Sequence, residues 1–162
     1  MRKLTITCAS AVLALAAAAT AAATPPTKTH VTVLRSIPNY LPCPGFAVHG
    51  EFLIDRTTTT FYDGTGTPIR TVQHVHADAT LSNPLTGKSL PDSSDFKITT
   101  DLATGERSFD GKVNMATSPG EGVVYQAVGR IVFEPDGSVI EDGPHDDADG
   151  SFDVLCNYLA SP

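Results

Sequence analysis

The stretch from Phe46 to Leu81, FAVHGEFLIDRTTTTFYDGTGTPIRTVQHVHADATL, constrains this chain more than any other, because it reads as one long β-hairpin with two unlike faces. Phe61-Tyr62 runs into the turn-rich tetrad Asp63-Gly64-Thr65-Gly66, and an extended pattern resumes at Thr67. Pairing Tyr62 with Thr67 places Ile54 opposite Val75, Phe52 opposite Ala77, Gly50 opposite Ala79 and Val48 opposite Leu81. The other face then sets Asp55 against His74, Leu53 against His76 and Glu51 against Asp78. Side chains alternate along a strand, so one register sorts both strands into an apolar face and a polar face. A bulge in either strand would shift these pairs by one residue.

The flanking sequence repeats the theme. Ser82 to Lys88 is a Pro- and Gly-containing turn, Asp92 to Asp95 is a polar stretch, and Phe96 to Thr100 returns to alternation. In Arg107 to Met115, Phe109, Gly111, Val113 and Met115 share one face. Val123 to Phe133 is the most apolar strand and is expected to lie centrally. Pro135-Asp136-Gly137 turns into Ser138 to Ile140, and Phe152 to Leu159 reads as a last strand or a short helix. Upstream, Thr24 to His30 is a polar leader expected to be disordered, and Val31 to Ser36 has strand character. Pro38, Pro42 and Pro44 then break the backbone around Cys43. No stretch carries a sustained helical period with caps at both ends. The expected fold is all-β: an antiparallel up-and-down β-barrel of about eight strands, with a β-sandwich as the alternative. Gly50, Gly111 and Gly129 would permit the coiling that a small barrel needs.

Residues 1–23 form a signal peptide: a basic start at Arg2-Lys3, a short apolar core, and Ala21-Ala22-Ala23 as the cleavage site. Cys8 lies inside the apolar core, which argues against a lipoprotein anchor. The organisation expected is signal peptide 1–23, leader and first strand 24–44, and one barrel domain 45–162, the product being secreted, monomeric and free of the membrane. Removing 23 of 162 residues leaves 139, enough for one core. It also takes Arg2 and Lys3 from the eleven basic residues, leaving nine against eighteen acidic ones, a net charge of −9. So acidic a protein is a poor partner for nucleic acid. Two cysteines remain after export, Cys43 and Cys156, and an even pair in an exported chain reads as a disulfide closing the domain. A zinc site is disfavoured, since neither has a Cys or His partner at ligand spacing.

The residues singled out for chemistry are Glu51, His74, His76 and Asp78. Spacing by two puts His74, His76 and Asp78 on one side of a strand, with Glu51 beside them. Such a set could bind a ligand, and Asp55 opposite His74 could orient an imidazole for acid–base work. The cupin pattern does not fit: seven residues separate Gly66 from His74, and Thr80 stands where a Glu is sought. A polar barrel face pointing to water satisfies the same four side chains, so no metal and no cofactor are expected. Between Glu134 and Asp153 lie eight acidic residues and no Lys or Arg, but the EF-hand frame through Gly150 ends at Cys156 instead of Glu. Trp is absent, and with it the lipocalin signature.

Pro42-Cys-Pro-Gly-Phe46, Thr60-Phe-Tyr-Asp-Gly64, Leu81-Ser-Asn-Pro-Leu-Thr-Gly-Lys88, Gly120-Glu-Gly-Val-Val-Tyr-Gln-Ala-Val-Gly-Arg130 and Gly143-Pro-His-Asp146 resemble a group of small exported actinobacterial proteins. The resemblance covers nearly all of the exported chain and implies a small β-barrel, similar in architecture alone to allene oxide cyclase and dirigent barrels. It carries no activity. The expected role is a binding or interaction module for a small apolar ligand or a cell-envelope component. The alternative is a barrel enzyme, an isomerase/cyclase or a metal-assisted hydrolase, using the polar face of the 46–81 hairpin.

Overall fold

In the computed structural model, which describes residues 24–118, 120, 122–146 and 152–161, seven strands follow one another and a short helix comes last. They are β1 (Thr27–Cys43), β2 (Phe46–Tyr62), β3 (Pro68–Ser82), β4 (Ser89–Asp101), β5 (Arg107–Ser118), β6 (Gly122–Phe133), β7 (Val139–Asp142) and α1 (Asp153–Ala160). All seven strands form one antiparallel sheet whose spatial order is the sequence order. The chain is therefore an all-β meander. The sheet is not closed: β1 and β7 are its two edges, and β7 offers four residues to the seventeen of β1. The expected signal peptide lies outside the described residues.

The central hairpin keeps its predicted faces but slides. Asp63 closes the tip onto Thr67 (N–H to C=O, 2.9 Å), Tyr62 pairs with Pro68, and a further irregularity makes Arg70 the partner of Phe61. Each strand pair is thus displaced by two from the expectation: Ile54 faces Ala77, Phe52 faces Ala79, Asp55 faces His76 and Glu51 faces Thr80. A two-residue slip leaves every side chain on its face, because the strand period is two.

Other expectations change more. The leader is not separate from the sheet, since β1 starts at Thr27, whose hydroxyl lies 2.8 Å from that of Tyr62. Pro38 and Pro42 lie within β1 without ending it; an edge strand needs only one row of N–H groups, and the register shift between Ile37 and Leu41 absorbs the irregularity. The polar stretch Asp92–Asp95 lies inside β4. The apolar β6 is next to last in the sheet; its Val124 and Tyr125 join the core, while buried Val132 lies on the other face with Arg130. In β5 a bulge at Val113 reverses the alternation, so Asn114 and Ala116 continue the face of Phe109 and Gly111 while Met115 turns to the other side.

The core gathers at one end of this sheet. Val48, Phe52, Leu81, Leu90, Ala116, Val124 and Tyr125 come from five strands and pack against Leu155 and Leu159 of α1. An eight-residue helix is too short to persist alone in water, and this one has no side-chain N-cap. Tertiary links hold it: the Cys43–Cys156 disulfide spans 113 positions, buried Asn83 donates to the Leu159 carbonyl at 3.1 Å, and Tyr158 and Ser118 share a 2.8 Å hydrogen bond.

The sheet curls where glycines face each other. Gly111 and Gly129 are paired, with φ of 125° and 129°. A Cβ on Gly111 would stand 2.7 Å from the Asp95 carbonyl oxygen, and one on Gly129 would overlap that of Asp142.

Two stability outcomes are expected. Gly129→Ala should cost more than Gly137→Ala in urea unfolding, because both have positive φ but only position 129 also meets a neighbouring backbone; the backbone conformation accounts for about 1–3 kcal/mol. Reduction of Cys43–Cys156 should lower Tm, with a loss of about 2–5 kcal/mol by chemical unfolding.

Candidate functional site

The helix covers only part of the apolar face. Beyond it lies a hollow of about 180 Å³ lined by Tyr40, Phe52, Ile54, Val75, Ala77, Ser94, Phe96, Val113 and Asn114. These residues belong to β1 through β5. Five strands laid flat would span roughly 19 Å, so one small hollow touching all five requires this face to be concave. Its floor is apolar, with Phe52, Val75 and Ala77 nearly inaccessible. An aromatic row continues from it, Phe96 stacking on Phe109 at 6.0 Å and Phe109 meeting Phe133 edge-on at 5.4 Å.

Polar groups enter the hollow from β4 and β5. Ser94 is 7% exposed, pairs with Ala77 of β3 and lines the hollow. Asp92, two residues earlier on the same face, is 3% exposed and accepts from the Met115 N–H at 2.8 Å, beside the bulge at Val113. In the orientation that satisfies both of its ends, the Asn114 amide nitrogen donates to Asp92 Oδ2 at 3.3 Å and to the Val113 carbonyl at 3.2 Å. Burial pushes the Asp92 carboxyl above the usual carboxylate range, against the Met115 and Ser93 N–H groups and the Lys112 charge.

The four residues expected to form a site lie on the opposite, convex face. Cross-strand pairing arranges them in rows. One runs Thr32–Asp55–His76–Asp95–Lys112, and the next runs His30–Thr57–His74–Lys97–Asp110–Arg130–Asp142 through all seven strands. His76 lies 3.7 Å from Asp78 and 3.8 Å from Asp95, while His49 lies 3.7 Å from Glu51. Glu51 and Asp78 line a shallow depression of about 230 Å³ with Leu34, Leu53 and Thr80. His74 stands between Thr57 and Lys97 and joins none of these ion pairs. The structure therefore brings His76 and Asp78 together but does not converge the four, and among the described residues no three His, Cys, Asp or Glu side chains are grouped to hold a metal.

The partner of Asp55 is His30, not His74. The His30 Nε2 lies 2.8 and 2.9 Å from the two Asp55 oxygens, and Thr32 donates to the second at 3.2 Å. The hydrogen bond from His30 holds the Asp55 carboxyl below the usual range. Both side chains are about half exposed, so this pair contributes little to stability. At the C-terminal acidic run, Asp146 accepts from the Gln126 N–H at 2.8 Å and is tied into the sheet; Asp147, Asp149 and Gly150 lie outside the described residues.

Sequence reasoning missed Ser94, Asp92, Asn114 and His30. His30 had a signal, since alternation already runs from Thr27 through Arg35. The other three had none, because a polar run in a strand does not say which members point inward.

Asp92 yields a pH-dependent outcome. Its folded carboxyl titrates above the unfolded value, so its cost is absent below the unfolded pKa, where both states are protonated, and grows as pH rises through the folded value. Asp92→Asn keeps an acceptor for Met115 and should match or exceed the native protein in Tm at pH 7, the advantage shrinking near pH ~4. Asp92→Ala leaves that N–H unpaired and should lose about 1–3 kcal/mol by urea unfolding.

Set against family models, curated proteins and solved structures, the chain matches none of them.

Proposed function

We propose that this chain is a secreted binding module that holds a small, largely apolar ligand in the hollow of its concave face. The observation that carries this reading is the hollow itself, a concavity with a largely apolar floor and with Ser94 and Asn114 at its wall. A few polar groups on an otherwise apolar wall suit a ligand with an apolar body and one hydrogen-bonding group, which would pair with the Ser94 hydroxyl. A cavity of 150 Å³ is enough to hold benzene, so the 180 Å³ here fits one ring with a small substituent. The disulfide supports an oxidising compartment. In this reading the curled sheet works as a partial barrel, open between β1 and β7.

The test uses p-cresol and toluene as probes, titrated into the purified protein by ligand-observed NMR and calorimetry. Both should bind, p-cresol more tightly. Ser94→Ala should weaken p-cresol roughly five- to tenfold, the worth of one hydrogen bond, and leave toluene unchanged. Val75→Phe should block both by filling the hollow. Absence of binding by either probe, or equal binding to native and Val75→Phe protein, would overturn the reading.

A further inference from the structure

The strand at the open edge has a feature that ligand binding on the concave face does not use. Among the described residues β1 pairs with β2 alone, so the outer backbone groups of Val31 to Ile37 meet no other strand. A long edge of this kind is a template for another strand. It also displays apolar side chains: Leu34 is 77% exposed, Val31 40% and Ile37 38%. Leu34 is paired with Leu53, itself 50% exposed. These two leucines line the shallow depression that holds Glu51 and Asp78.

We propose that β1 pairs antiparallel with β1 of a second copy of this chain, about a two-fold axis at Leu34, joining two open sheets into one. The sequence of the strand is what selects a second copy. Only registers in which paired residue numbers have an even sum keep convex face beside convex face, because side chains alternate along each strand. Centred on Leu34, that pairing sets Leu34 against Leu34, Val31 against Ile37, Thr32 against Ser36 and Val33 against Arg35. The convex face then carries a continuous row Leu53–Leu34–Leu34–Leu53, which covers the most exposed apolar side chain of the strand. On the concave side each Val31 meets the Ile37 of the other copy. All three exposed apolar residues of β1 find apolar partners at once.

Neighbouring registers do worse. A centre at Arg35 puts two arginines face to face, and like charges directly opposite are destabilising. A centre at Val33 leaves Leu34 opposite Thr32 and Ile37 opposite Thr29. The Leu34 register also confines pairing to Val31 through Ile37, which is symmetric about position 34 and ends just before Pro38 and the irregularity between Ile37 and Leu41. Pro38 lacks the N–H a longer ladder would need. The cations of this edge are not opposed: Arg35 lies opposite Val33, and Lys28 falls opposite Tyr40 beyond the pairing segment. The inference departs from the monomer that the sequence leads one to expect, and it holds whether or not the concave hollow binds a ligand.

Sedimentation velocity on the exported protein tests the association, and cysteine cross-linking tests the register. A dimer is expected at micromolar concentration. Leu34→Lys should shift it to monomer with an unchanged circular dichroism spectrum, since the side chain is mostly exposed and supports no core. Opposed Cβ atoms in an antiparallel pair lie about 4.5–5.5 Å apart, so Leu34→Cys should oxidise to a covalent dimer. Thr32→Cys alone should not, whereas Thr32→Cys mixed with Ser36→Cys should give the heterodimer. A native protein that sediments as a monomer at all concentrations, or Thr32→Cys linking to itself as readily as Leu34→Cys, would overturn the proposal.

Discussion

The attachment of α1 to one end of the sheet is the interaction on which the rest of this structure depends. A single sheet with an apolar face must cover that face, and the only covering element among the described residues is an eight-residue helix. Leu155 and Leu159, one turn apart, are fully buried against residues from five strands. The helix cannot form by itself, so the disulfide to Cys43 and the Asn83 hydrogen bond to the Leu159 carbonyl carry part of its ordering cost. The sheet stays open, and the disulfide ties the end of β1 to the last helix.

A helix this short leaves part of the concave face to the sheet. Curling supplies the remaining burial, and its causes are local to β5 and β6. The Gly111–Gly129 pair lets neighbouring backbones approach closer than a Cβ would permit, and the bulge at Val113 bends β5 toward the same side. The bulge has a chemical consequence as well. Asp92 satisfies the Met115 N–H beside it from a buried position, and that burial raises its carboxyl. Architecture and the polarity of the hollow thus share one origin.

The convex face follows different physics. Its charges alternate in rows across the strands, as opposite-charge cross-strand pairs should. Lys97 and Arg130 flank Asp110 at 3.5 and 3.7 Å, and His76 lies between Asp78 and Asp95. Most of these groups are half exposed or more, so each pair is screened and individually weak. Imidazoles spaced by two on one strand also point in parallel, and they meet carboxylates across the strands before they meet each other. The histidine motif therefore yields a paired surface and not a converged site.

Strand alternation is a local property, and it was legible wherever no bulge interrupts a strand. The two faces of the central hairpin, the meander order, the turns and the single cysteine pair all follow from residues within a few positions of one another or from simple counting. Even the two-residue slip of the hairpin left its faces intact, because the period is two. What only the tertiary structure decided depends on partners far along the chain. The beginning of β1 at Thr27 depends on β2, the outward turn of Met115 on a bulge against β4, and the helical form of Asp153–Ala160 on a core assembled from five other elements. The open edges are of the same kind, since closure is set by accumulated twist and by the four-residue length of β7, neither of which any short window encodes. The hollow with Ser94 lies furthest from the sequence: an inward serine lines a hollow only where five curled strands leave space above it.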